Sequence, residues 1–211
     1  MGGNQTPRQL YNRLLAQNLC EAFRRRNMDG LYCETKEEAL QAALGLLDKE
    51  TLVSCGGSAT LHEIGLVQAL RAGGYRFLDP FAPQTGKKKE EITRKALGAE
   101  YYFMGCNAIA QSGELVNADG IGNRLAALAF GPKNVVVVAG MNKVEPTLQA
   151  AIRRVQTRAA QMILLQFKPD FTDFDSLAAA AEGACGHLAV TRMPAVKGRI
   201  RVLLVGESLG Y

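Results

Sequence analysis

Short apolar runs, rich in β-branched residues, alternate along this chain with longer amphipathic patterns. The clearest runs are TLVSC at 51–55 and NVVVVAG at 134–140. Strands that alternate with helices form parallel βαβ units, with helices on both faces of a central sheet. The sequence therefore predicts the α/β class. In open sheets of this class ligands bind at loops that follow the carboxyl ends of the strands, so those loops are where we expect a site.

The two ends of the chain are predicted from the same patterns. A long helix begins with Thr6 as its N-cap and Pro7 in its first turn. The segment 199–211, RIRVLLVGESLGY, supplies a final strand. We predict one domain over residues 1–211, with a helical N-terminal extension at 1–30 and an irregular insertion, a loop with a short helix, at 168–197.

Three predictions concern the middle of the chain. SATLHEIGLVQALRA at 58–72 reads as one helix, and AEYYFMGCNAIA at 99–110 reads as one strand. The turn at Ser112 and Gly113, followed by ELVNADG at 114–120, predicts a hairpin or a strand pair.

Composition excludes several functional classes. Of 211 residues, 47% are hydrophobic and 21% charged, which is typical of a globular domain. No apolar run is long enough to span a membrane, and the first residues lack the pattern of a signal peptide, so we expect a soluble, cytoplasmic protein. The basic runs at 24–26 and 87–89 carry no interleaved aromatic residues, which argues against nucleic-acid binding.

The cysteines and histidines do not form a metal-binding pattern. Five cysteines are widely spaced with no CxxC pair: Cys20, Cys33, Cys55, Cys106 and Cys185. This spacing argues against a disulfide framework and against a zinc or iron–sulfur site made by this chain alone. His62 and His187 do not complete a metal motif either. We therefore predict no metal and no cofactor held by this chain.

The first candidate loop follows TLVSC. Gly56 and Gly57 allow a tight turn and close approach to a ligand, while Ser58 and Thr60 place hydroxyl groups at the start of a helix. Such a turn can hold a phosphate or a carboxylate. The motif matches neither a Walker A loop nor GxGxxG, so a plain strand-to-helix turn with Ser58 as N-cap explains it equally well.

The second candidate loop is NADGIGNR at 117–124. It concentrates more hydrogen-bonding groups than a connection requires, which favours a site over a simple turn. Arg124, near the start of an otherwise apolar helix, is placed to reach a ligand anion. The predicted ligand-binding residues of this loop are Asn117, Gly120, Gly122, Asn123 and Arg124.

A third loop and two carboxylates complete the candidates. Lys143, in AGMNKVEP after the NVVVVAG strand, either neutralises an anionic substrate or solvates the turn. Glu63 and Asp119 are the predicted proton-transfer groups, although surface or turn roles would explain both. Cys55 and Cys106 fall at strand ends near these loops and fit small buried core thiols.

At these residues the sequence resembles a known family. CGGSATLHEIGL, NAIAQSGELVNADGIGNRLAALAFGPKNVVVVAGMNKV and RIRVLLVGESLGY together resemble the LUD domain family, formerly a domain of unknown function, which includes lactate-utilization proteins. The resemblance implies a Rossmann-like three-layer α/β/α sandwich, as in ribose-5-phosphate isomerase, glucosamine-6-phosphate deaminase and coenzyme A transferases. In those relatives glycine-rich loops bind phosphate or thioester groups, the role this resemblance suggests for Gly56, Gly57 and Ser58.

The resemblance also implies a function with several alternatives. It suggests an accessory protein that assists iron–sulfur partners in oxidising L-lactate to pyruvate, without carrying their redox centre. A stand-alone enzyme or a metabolite sensor for a small phosphate-type or coenzyme A-type anion fits the same loops, and oligomers fit either reading. Many small family members carry a cysteine-rich segment before the last strand, whereas this chain keeps only Cys185 there.

Overall fold

The structure is a computed structural model that describes residues 5–82 and 85–211. Its helices are α1 Pro7–Arg25, α2 Lys36–Leu44, α3 Ala59–Glu63, α4 Leu66–Ala72, α5 Gly86–Lys95, α6 Asn123–Ala129, α7 Leu148–Arg154, α8 Ala160–Phe167 and α9 Phe174–Ala184. Its strands are β1 Asp29–Cys33, β2 Leu52–Cys55, β3 Arg76–Leu78, β4 Tyr101–Gly105, β5 Ala108–Ala110, β6 Leu115–Asp119, β7 Asn134–Gly140, β8 Val144–Glu145, β9 His187–Thr191 and β10 Ile200–Val205.

A parallel sheet forms the centre of the fold. Its strand order is β1-β10-β7-β4-β2-β3, and every pairing in it is parallel. Strand β7 lies inside this sheet, between β10 and β4. A strand covered on both faces must be apolar throughout, which explains the uninterrupted valines of NVVVVAG.

Successive residues of β7 point to opposite faces of the sheet and pack in two separate hydrophobic cores. Val135 and Val137 pack with α1 and α6 on one face, whereas Val136 and Val138 pack with α2, α3 and α4 on the other. The alternation follows from the period of two along a strand. Helices on both faces confirm the predicted three-layer α/β/α sandwich, and α1 belongs to one of its outer layers through buried Leu19 and Phe23.

A second, smaller sheet extends the fold from the end of β4. Its order is β8-β5-β6-β9, with β5 antiparallel to β6 and β6 antiparallel to β9. The β5–β6 pair is the hairpin that the sequence predicts. Its Val116 and Ala118 pack with Ala151 and Val155 in a third apolar cluster, so α7 covers this sheet.

Three segments differ from the sequence predictions. The helix predicted at 58–72 is broken at Gly65, which has a φ of 78° and therefore leaves the helical region. The strand predicted at 99–110 divides after Gly105 into β4 and β5, which belong to different sheets. The segment 168–197, predicted as a loop with a short helix, contains the helix α9 but also the strand β9, because β9 gains its ladder by pairing with β6.

Two further features concern the helices. Thr6 caps α1 by accepting a hydrogen bond from the backbone N–H of Gln9, with Pro7 in the first turn, as predicted. Between α7 and α8 the chain makes a π-helical turn, Val155–Ala159. In the part of the chain that the structure describes, no helix is both long and apolar enough to cross a bilayer.

Candidate functional site

A cleft of about 510 Å³ lies where the first and second loops meet. From the first loop it is lined by Gly57 and Ser58, and from the second by Asp119, Asn123 and Arg124. The second loop follows β6 of the small sheet rather than a strand of the parallel sheet. The β5–β6 hairpin reverses the chain and returns Asp119 to the carboxyl end of β4, where the amide N–H of Ala118 donates to Asn107 Oδ1 at 3.0 Å.

The first loop approaches the second through Gly56. A Cβ atom on residue 56 would lie 2.6 Å from Arg124 Cγ and 2.8 Å from the hydroxyl of Tyr102, so any larger residue there would have to displace these side chains. Gly57 is less constrained, since a Cβ there would meet the ring of Phe81 no closer than 3.7 Å. Ser58 is the N-cap of α3, because its hydroxyl accepts the N–H of Leu61 at 3.3 Å.

Arg124 is held at the floor of the cleft with only 12% of its side chain exposed. Its backbone N–H donates to Asp119 Oδ2 at 2.9 Å, its Nε lies 3.4 Å from the same oxygen, and its Nη2 donates to the carbonyl of Ala118. Within residues 5–82 and 85–211 no acceptor pairs with Nη1. The guanidinium is therefore fixed by the protein yet retains a nitrogen for a ligand.

The remaining predicted residues of the second loop have different positions. Gly120 lines the cleft, and Gly122, with a φ of 80°, turns the chain into α6. Asn117 is fully buried, and among the described residues neither its amide nitrogen nor its oxygen has a hydrogen-bond partner. Since side chains alternate along a strand, Asn117 shares the face of β6 that carries Asp119.

Lys143 of the third loop lies beneath the cleft rather than on its surface. Only 3% of it is exposed, and its Nζ donates to the hydroxyl of Thr60 at 2.8 Å. Burial lowers its pKa to about 8, and the neighbouring guanidinium groups of Arg154 and Arg124 lower it further against the opposing influence of Cys106 and Glu63. Thr60 is itself fully buried, so it contacts the lysine and does not line the cleft.

The two predicted proton-transfer carboxylates occupy different positions. Asp119 lines the cleft but is engaged by Arg124. Glu63 is exposed, and its Oε2 accepts the backbone N–H of Gly210 at 2.8 Å. The third-loop residue Asn142 also holds this region, since its Oδ1 accepts the N–H of Leu209 at 3.0 Å. Residues 209–211, the C-terminal segment below, are thus fastened between α3 and the third loop.

Sequence reasoning did not identify several residues that line the cleft. They come from α3, α5 and α8, from the loops that follow β3 and β4, and from the C-terminal segment: His62, Phe81, Lys89, Asn107, Ile163, Leu164, Phe167 and Tyr211. The Phe81 ring meets His62 edge-on at 6.4 Å between centroids, and Lys89 Nζ lies 6.0 Å from the same ring. No local pattern marks these residues, because tertiary packing alone brings α5 and α8 to the loops.

The cysteines near the cleft are buried thiols. Burial raises the pKa of Cys55 to about 12, and it raises that of Cys106 as well, although Lys143 opposes the shift. Cys106 lines the inner wall and donates from Sγ to the carbonyl of Ala108 at 2.9 Å. Across the described ranges, no group of three or more His, Cys, Asp or Glu side chains is arranged to hold a metal ion.

Comparison with solved structures shows that this chain shares its fold with a DUF162 family protein, and it also gives weaker matches. A DUF162 family protein from Deinococcus radiodurans superposes with a TM-score of 0.57 at 14% identity, covering 92% of this chain and 98% of that one. Ribose 5-phosphate isomerase A from Neisseria gonorrhoeae gives a TM-score of 0.41 at 14% identity over 83% of this chain and 94% of that one. The eIF2B delta subunit from Chaetomium thermophilum gives 0.35 at 20% identity over 53% and 48%.

Sequence comparison shows the family directly. No curated protein matches the chain. The sequence profile of the LUD domain matches residues 16–205, from the middle of α1 to the end of β10, and includes all three loops. The chain belongs to the LUD domain family, which is associated with lactate utilization.

Proposed function

We propose that this chain binds a small organic anion in the cleft and serves the utilization of lactate or a related 2-hydroxy acid. The position of Arg124 is the observation that carries the proposal. Both loops hold its stem, Asp119 and the carbonyl of Ala118 orient its guanidinium, and Nη1 remains for a ligand oxygen. A fixed guanidinium binds carboxylate or phosphate through charge-assisted hydrogen bonds.

The charges around the cleft support an anionic ligand. Lys89 and Arg124 line it, and even after Arg124 is offset by its ion pair with Asp119 the described side chains of the lining keep a net positive charge from Lys89. The whole chain has a formal net charge of +5, which adds a favourable long-range field for an anion.

The shape and polarity of the cleft support an organic ligand rather than a bare ion. Phe81, Ile163, Leu164 and Phe167 add apolar side chains to its lining, beside the polar groups of the two loops. Small-molecule sites commonly have volumes of about 300–1,000 Å³ with apolar walls and a few placed polar groups. The cleft volume of about 510 Å³ falls in this range.

The binding experiment compares wild type with Arg124→Ala and Arg124→Lys by calorimetry. The ligands are lactate, pyruvate, sugar phosphates and coenzyme A thioesters, which separate carboxylate from phosphate and thioester recognition. We expect Arg124→Ala to weaken binding by about 1.5–3 kcal/mol, and Arg124→Lys to restore only part of it, since lysine lacks the planar fork. Equal affinities for wild type and Arg124→Ala would remove Arg124 from the site.

For the cellular role, we propose that iron–sulfur proteins of lactate utilization are the partners of this chain. The proposal rests on the family of the chain and on the positions of its cysteines, since the described cysteines are separate free thiols. In this reading, the redox centre belongs to the partners and this chain supplies the anion-binding cleft. Deleting the gene should impair growth on lactate, and affinity purification from native lysate should recover iron–sulfur proteins. Normal growth together with no such partner would contradict the proposal.

A stand-alone enzyme is the second candidate, and one observation favours it. Lys143 is a buried amine with a lowered pKa close to the cleft, an arrangement that catalytic lysines share. Turnover of a bound ligand by the purified chain alone would favour this reading over an accessory role. Binding without turnover would leave the accessory protein or a metabolite sensor.

A further inference from the structure

Lys143 carries a buried positive charge without a direct counter-ion. Among the residues that the structure describes, no carboxylate forms an ion pair with its Nζ, and the hydroxyl of Thr60 is the acceptor it has, at 2.8 Å. Nearby, Arg154 is also buried, with 6% exposed, and Arg124 is largely covered. A buried ammonium beside other cations is costly, so the pKa of the amine is lowered and its neutral form becomes more accessible.

The chemistry of this amine differs from that of the exposed lysines. Its pKa of about 8 leaves about a tenth of it as free amine at pH 7, far more than for a lysine with an ordinary pKa. A lysine whose pKa is lowered by burial and by neighbouring cations is a better nucleophile toward carbonyl groups at neutral pH. Lys89 and Lys133, by contrast, are exposed on the surface.

The C-terminal segment separates the Lys143 amine from the cleft. It passes over the amine at Gly210, where a Cβ atom would lie 3.0 Å from Lys143 Nζ and 2.5 Å from Thr60 Oγ1. The next residue, Tyr211, lines the cleft. The segment is fastened there by the hydrogen bond from Gly210 N–H to Glu63. Displacement of residues 209–211 would therefore open the amine to a ligand in the cleft.

We propose that Lys143 forms an imine with a small carbonyl compound that also carries an anionic group, such as a 2-oxo acid. The amine nitrogen bonds to the carbonyl carbon, the carbonyl oxygen leaves as water with both amine hydrogens, and a C=N bond remains. No oxidant or reductant is required. The inference rests on the proposed anion site, because Arg124 supplies the charge that would hold the carboxylate near the amine.

The test is reductive trapping of the wild-type protein. The protein is incubated with pyruvate or glyoxylate, reduced with borohydride, digested and mapped by mass spectrometry. We expect the reduced adduct at Lys143, on the order of tenfold above any exposed lysine, because the exposed amines are protonated at neutral pH. Excess lactate, which has no carbonyl group to react, should compete for the anion site and suppress the adduct.

Variants separate this reaction from general lysine chemistry. Lys143→Arg keeps the charge and cannot form an imine, and Lys133→Arg is the matched exposed control. We expect the adduct to disappear in the first and persist in the second. If Lys143→Arg does not fold, the position of the adduct in the wild-type protein tests the proposal without the variant. Glu63→Ala, which releases the C-terminal segment, should accelerate trapping.

The outcomes distinguish the two proposals. Pyruvate that binds by calorimetry without labelling Lys143 overturns the imine and leaves the anion site standing. Labelling spread over exposed lysines in proportion to their exposure, and unaffected by lactate, also overturns it. Neither binding nor labelling by any of the probes overturns both proposals.

Discussion

The Cγ atom of Arg124 lies 2.6 Å from the position that a Cβ atom on residue 56 would occupy. The absence of a side chain at Gly56 therefore lets the aliphatic part of Arg124 pass against the first loop. The neighbouring Gly57 faces the Phe81 ring with ordinary contact distances. Two adjacent glycines with unequal constraints provide a matched pair for experiment.

Gly56→Ala should lower both stability and ligand affinity. The added methyl group collides with Arg124 and Tyr102, and overpacking of this kind costs about 1–3 kcal/mol. Chemical denaturation and calorimetry measure the two effects. Gly57→Ala is the control and should fold with near wild-type stability. Similar stabilities for both variants would show that the Arg124 stem moves aside freely.

How much of this site was predictable follows from the range of the interactions. The first and second loops and Arg124 were predicted because each follows a strand whose apolar pattern is local. Lys89 and Phe167 were not, since α5 and α8 reach the cleft through tertiary packing. The same reason applies to the fold. The uninterrupted apolar residues of β7, which is buried on both faces, predict that strand locally, whereas β9 is defined by its pairing with β6, far away in the sequence.

Asn117→Leu should stabilise the ligand-free protein. Both polar atoms of this buried amide lack a partner among the described residues, and removing such atoms recovers about 1 kcal/mol or more. Asn107→Leu is the contrasting variant, because Asn107 Oδ1 accepts the N–H of Ala118 and its loss should destabilise by about 1–3 kcal/mol. Urea denaturation compares them. Destabilisation by Asn117→Leu would indicate a hydrogen-bonded amide.

The same Asn117 variant tests its predicted ligand-binding role. If the unpartnered amide accepts or donates to the anion, Asn117→Leu should weaken the binding of whichever ligand stabilises wild type. Thermal shift and calorimetry on the folded variant measure this. A more stable variant with unchanged affinity would assign Asn117 to the protein interior alone.

Lys143 should make stability depend on pH in the alkaline range. Its pKa is lowered to about 8 from 10.5, so between these values the unfolded chain binds more protons than the native protein. Stability therefore rises with pH across this window, and below it the full penalty of about 3 kcal/mol is present. The groups facing Lys143 are Cys106, Arg154, Glu63 and Arg124.

The measurement is the difference in unfolding free energy between wild type and Lys143→Met as pH increases from about 8 to 10.5. Taking the difference cancels contributions of groups that titrate alike in both proteins. We expect the unfolding free energy of wild type to increase relative to that of Lys143→Met as pH rises. Lys133→Met, at an exposed position, should run parallel to wild type. A difference that stays flat would mean that the amine remains fully charged in the native protein.

Glu63 should control the C-terminal segment rather than the chemistry of the ligand. Its carboxylate accepts the N–H of Gly210 at 2.8 Å, and this residue covers Lys143. Glu63→Ala should therefore accelerate hydrogen exchange at the Gly210 amide on the order of tenfold, whereas Glu63→Gln, which keeps an acceptor oxygen, should change it less. Amide exchange followed by NMR measures this directly. If both variants exchange at the wild-type rate while ligand turnover is lost, Glu63 acts on the ligand and not on the segment.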